Sequence, residues 1–99
     1  MTTLDSDRKD AREELSADIK RLIVDACDKE IDPQTISDDE ALFGASARLA
    51  LDSLDALQVS MALQKRFGIR LVDSKETRRI LANVASLADF LTDFLAARR

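Results

Sequence analysis

The sequence predicts an all-α fold, a bundle of four helices with a long first connection and a short third helix. Three observations predict it. The 99 residues include only two Gly and one Pro, too few for a turn-rich β fold. Apolar residues recur at spacings of three and four near both ends of the chain. Hydrophobic residues make up 45%, yet aromatics are limited to four Phe, so the core should be aliphatic and helical. A single domain of this size should bury roughly two-thirds of its unfolded surface.

Residues 1–10 are polar and mixed in charge, and are expected as a flexible lead-in to a domain spanning 11–99. The first helix is expected over 11–30. There Leu15, Ile19, Leu22, Ile23 and Ala26 form one apolar stripe. Cys27 borders the stripe and reads as a small packed hydrophobe, since nothing nearby would activate its thiol. Pro33 marks where this helix must already have ended.

Residues 31–51 form a connection whose length is uncommon for a compact domain and often functional. Ile36, Leu42, Phe43, Leu49 and Leu51 supply apolar anchors for it, and a short helical turn is expected over 39–43. The second helix should run over 53–67, with Asp52 as N-cap, Asp55 in the first turn and Gly68 as its stop. A short extended piece over 69–72 follows. Asp73-x-x-Glu76 and Ser86-x-x-Asp89 resemble capping boxes opening helices over 74–82 and 86–97. The last helix places Leu87, Phe90, Leu91, Phe94 and Leu95 on one face. Burying each such side chain contributes roughly 1.5–3 kcal/mol, so Phe90 and Phe94 are expected in the core.

The second helix has two apolar faces. Val59, Leu63 and Phe67 have the spacing to meet the other helices. Leu54, Leu57 and Met61 lie on a different face and should be exposed beside Ser53, as a strip for docking partners. Burial of this helix on all sides is the simpler alternative. Ser53 itself stands where a loop becomes a helix, with Asp52 and Asp55 around it. Helix N–H groups there favour a phosphate ester on the hydroxyl. The chain has no His, which excludes Ser-His-Asp chemistry. A serine so presented, with no means within this chain of acting as a nucleophile by itself, invites attachment by another enzyme.

Charge is unevenly distributed. Residues 1–47 hold thirteen acids and six bases, whereas 48–99 hold six acids and nine bases. The net charge of −4 argues against general nucleic-acid binding. One Cys excludes an internal disulfide, and the acids show no metal-loop pattern. With no signal peptide and no apolar run of membrane-spanning length, a cytoplasmic location without a membrane span is expected.

The runs Leu49-Ala50-Leu51-Asp52-Ser53-Leu54-Asp55-Ala56-Leu57-Gln58 and Met61-Ala62-Leu63-Gln64-Lys65-Arg66-Phe67-Gly68-Ile69 resemble an acyl carrier protein. The resemblance covers about 15–97. It implies that Ser53 receives 4′-phosphopantetheine from coenzyme A through a phosphodiester. It also implies that Asp52 assists the modifying phosphopantetheinyl transferase, and that Leu54, Leu57 and Met61 dock on partner enzymes. The arm's thiol would carry acyl groups as thioesters, so the chemistry would belong to cofactor and partners and the chain would be no enzyme. Those partners would be an acyl-loading enzyme, a ketosynthase and other tailoring enzymes of fatty-acid or polyketide type, visited by a monomeric carrier. A cleft between helices could shelter the cargo.

Two departures bear on this expectation. Ala50 stands where the family often has Gly. Gln58, Gln64, Lys65 and Arg66 stand where carriers of fatty-acid synthesis usually present acids, and Arg70, Lys75, Arg78 and Arg79 follow. Like-charge repulsion would then alter partner choice. The run from Asp73 to Leu81 is similar to discrete carriers of specialised bacterial pathways, such as those making aryl polyenes. Two other classes compete: a carrier-like interaction module without the arm, and a small nucleic-acid binder using Arg70, Lys75, Arg78 and Arg79.

Overall fold

The computed structural model describes residues 4–71 and 73–97, with 4–10 and 74 described by backbone alone. Four helices follow one another: α1 (Leu4–Ala26), α2 (Ser53–Phe67), α3 (Ser74–Ile80) and α4 (Val84–Ala97), with a 3-10 turn at Pro33–Thr35. The expected all-α bundle, its long first connection and its short third helix are all present. Val72, within the expected extended piece, lies outside the described residues. The residues beside it, Ile69 to Leu71, form no strand.

The boundary of α1 differs from expectation at both ends. It begins at Leu4, within the segment expected as a lead-in, and stops at Ala26. The stop is a left-handed Asp28 (φ 52°), with the Lys29 N–H donating to the Val24 carbonyl and the Asp28 N–H to the Asp25 carbonyl. That closes the last turn as a glycine would, without a glycine to announce it. α2 follows expectation from Ser53 to Phe67, ended by Gly68 in the left-handed region (φ 75°).

The fourth helix starts one residue after Asn83, whose Oδ1 accepts from the Ser86 N–H at 2.8 Å. Asn83 therefore caps it, and the expected Ser86-x-x-Asp89 box does not operate. Asp89 pairs instead with Arg12 of α1 at 2.8 Å. α3 is capped by Asp73 as expected but ends at Ile80.

α1 packs against α4 and α2, and α3 packs on α4. Ile19 and Ile23 of α1, Val59 and Leu63 of α2, and Leu87 and Leu91 of α4 are buried together. Phe90 and Phe94 depart from expectation: both are only half-buried, packed against the core margin and stacked on one another with ring centroids 6.3 Å apart. Leu95 is exposed, because α4 runs on beyond its buried stretch, which ends at Leu91.

The connection between α1 and α2 is ordered by its own contacts. Ile36, Leu42, Leu49 and Leu51 are buried and Phe43 half-buried. Its helical turn sits at Pro33–Thr35, under the Asp32 cap, rather than over the expected 39–43. The Leu42 N–H donates to the Ala82 carbonyl, and the Ala85 N–H to the Asp38 carbonyl, which ties the loop to the start of α4. The Leu51 N–H donates to Leu42 and the Gly44 N–H to Leu51, closing the stretch that delivers the chain to Asp52. Arg48 fastens it further, donating to Glu40 Oε2 at 3.1 Å and to the Thr35 carbonyl at 2.6 Å.

Candidate functional site

The first turn of α2 is held by two acids that cap each other. Asp52 Oδ1 accepts from the Asp55 N–H at 3.0 Å, and Asp55 Oδ2 accepts from the Asp52 N–H at 3.1 Å. This reciprocal arrangement satisfies two backbone donors and fixes the angle at which the loop enters the helix. Both carboxylates are thus engaged with backbone, and the Asp55 N–H holds the Asp52 carboxyl below its ordinary range. Ser53 is the first residue of the helix and is exposed.

Two residues before the cap, Ala50 adopts a left-handed conformation (φ 48°). This is a position where glycine is free of strain and alanine is not.

A cavity of about 470 Å³ opens beside Ser53. Phe43 and Leu51 from the loop, Ala56 from α2, and Thr77, Arg78 and Leu81 from α3 and its end form much of its wall. The cavity occupies the gap where, among the described residues, α2 and α3 do not pack on each other. The family resemblance implies a cleft between helices, but the sequence does not name its lining. The wall is assembled from loop, α2 and α3, and no spacing relates Phe43 to Leu81.

The two faces of α2 separate as expected. Val59 and Leu63 are buried and Phe67 half-buried against the core. Leu54, Leu57 and Met61 are 62%, 56% and 57% exposed, so burial on all sides is excluded. Cys27 is half-buried at the end of α1, and its thiol donates to the Asp55 carbonyl at 3.8 Å. Burial first, then the nearby Asp55 charge, pushes the thiol up to about 11, so it is inert at neutral pH.

Residues 17–91 match the protein family described as "Phosphopantetheine attachment site". The chain belongs to this family. Its members are carrier domains bearing a covalently attached 4′-phosphopantetheine group. No curated protein matches the chain significantly. The residues at the start of α2 suit the group: an exposed hydroxyl at a helix N-terminus, next to a cavity whose wall is largely apolar. When bound, the group supplies a thiol that carries acyl chains as thioesters. Among the described residues no helix is long and apolar enough to cross a membrane, and no group of three or more His, Cys, Asp or Glu is placed to hold a metal ion.

The basic residues of the second half are not equivalent. Arg66 pairs with Asp18 of α1 at 3.3 Å and lies over the Phe67 ring, so part of its charge is spent within the fold. Arg70, Lys75, Arg78 and Arg79 are exposed.

Proposed function

We propose that the chain is a discrete, monomeric, cytoplasmic acyl carrier protein, modified at Ser53 by a phosphopantetheinyl transferase and serving a specialised fatty-acid- or polyketide-type pathway. The observation that carries this reading is the exposed Ser53 hydroxyl at the first residue of α2, in a chain whose family carries the arm. Asp52, exposed and ionised, assists the transferase. An acyl chain on the arm's thiol can retreat into the cavity walled by Phe43, Leu51 and Leu81, where its apolar surface leaves water.

Leu54, Leu57 and Met61 dock successive partners: an acyl-loading enzyme, a ketosynthase and tailoring enzymes. Their exposure beside Ser53 supports that role. Exposed Arg70, ahead of α3, and Lys75 and Arg79 within it disfavour partners with basic docking faces. This supports a pathway other than general fatty-acid synthesis.

The test is acyl loading of the arm-bearing protein followed by transfer to ketosynthases of both kinds. A hydroxylamine-labile acyl group should form on the wild type and not on Ser53→Ala, with transfer faster to the specialised enzyme. Preferential transfer to the fatty-acid enzyme would overturn the specialised assignment. Function retained by Ser53→Ala would instead identify an interaction module without the arm.

A further inference from the structure

The cavity beside Ser53 has a single cationic residue among its described lining, Arg78. Arg78 lies in the last turn of α3, is exposed, and forms no ion pair or side-chain hydrogen bond among the described residues. The anionic residue in the same lining, Asp52, is committed to the Asp55 N–H and lies beyond ion-pair distance of Arg78. Asp55 is likewise committed to the Asp52 N–H. An arginine thus lines the same cavity as Ser53, with no carboxylate paired to it. Its neighbour Arg79 is also exposed but is not among the residues that line the cavity.

A phosphodiester on Ser53 would bring one negative charge and two unesterified oxygens to that rim. A planar guanidinium matches such a group better than an ammonium does, because two N–H donors can meet both oxygens. We infer that Arg78 is a positioning residue, which holds the phosphodiester of the arm at the cavity mouth and turns the arm toward the apolar wall. The inference rests on attachment at Ser53. Arg78 offsets the repulsion between the phosphodiester and the two capping carboxylates. It contributes nothing to the protein without the arm.

The experiment compares thermal unfolding with and without the arm for wild type, Arg78→Gln, Arg78→Lys and Arg79→Gln. Excess transferase and coenzyme A convert each variant, and intact mass verifies the conversion. At low salt the arm should raise the melting temperature of the wild type about 2–4 °C more than that of Arg78→Gln. Arg78→Lys should fall between them, and Arg79→Gln should match the wild type. The difference should shrink at about 0.5 M salt. The same shift in wild type and Arg78→Gln would overturn the inference. So would a difference that appears only after loading a carboxylate-terminated acyl group, since Arg78 would then read the cargo. A wild type that gains no arm at all would overturn the attachment at Ser53 itself, a failure visible in the mass before any melting curve is recorded.

Discussion

Asp52 and Asp55 each accept a hydrogen bond from the other's backbone N–H, at 3.0 and 3.1 Å, so the residues bracketing Ser53 lock the start of α2 between them. The serine hydroxyl is exposed because its neighbours, not it, satisfy the helix terminus. Removing the Asp55 side chain should cost about 0.5–1 kcal/mol, read as a lower denaturation midpoint. Asp52→Asn retains a competent cap and should leave the fold intact. The same substitution removes the charge offered to the transferase, and should slow arm attachment by about tenfold or more. Equal loss of stability and attachment would show that Asp52 acts only through the cap.

Ala50 sits at φ 48°, where a Cβ is disfavoured. Ala50→Gly should therefore raise stability by roughly 0.5–1 kcal/mol, after the added freedom of the unfolded chain is subtracted. A melting temperature higher by about 2–6 °C is the expected reading. A β-branched residue there should act in the opposite direction, since Ala50→Val crowds the same backbone.

The Glu40–Arg48 clip makes the loop sensitive to acid. The Arg48 hydrogen bonds first, then the Ser37 N–H, hold the Glu40 carboxyl below its ordinary value. A depressed folded-state value stabilises the fold above the unfolded-state value near 4.5, and that contribution fades as pH falls through the folded one. Stability measured by denaturant between about pH 6 and pH 3 should fall more in the wild type than in Glu40→Gln. Parallel curves would show that the clip contributes nothing.

The two faces of α2 should separate stability from partner engagement. Leu63 is fully buried, and Leu63→Ala should cost about 2–5 kcal/mol. Leu57→Ala, on the exposed strip, should change stability by no more than about 0.5 kcal/mol. It should nevertheless weaken transfer to a partner enzyme, checked by steady-state kinetics against carrier concentration.

How far the sequence discloses the fold depends on how local the signal is. α2 is legible from Asp52 to Gly68 because its cap, first turn and stop are adjacent in the chain. The end of α1 is not, because Asp28 adopts the left-handed conformation that normally advertises itself as glycine. α4 begins at Val84 under an Asn83 cap, one turn ahead of the Ser86 that the pattern favours. The exposed strip is readable from periodicity, and Ser53 from its place where loop becomes helix together with the family resemblance. The cavity is not, since Phe43, Ala56 and Leu81 meet only when the 31–51 connection is tied to the start of α4.

The central claim is attachment of the arm at Ser53, and intact mass tests it most directly. The protein would be weighed before and after incubation with coenzyme A and a promiscuous phosphopantetheinyl transferase, with Ser53→Ala alongside. One phosphopantetheine on the wild type and none on Ser53→Ala is the predicted result. No gain on folded, initially unmodified wild type with a transferase proven active on another carrier, or an equal gain on Ser53→Ala, would contradict it.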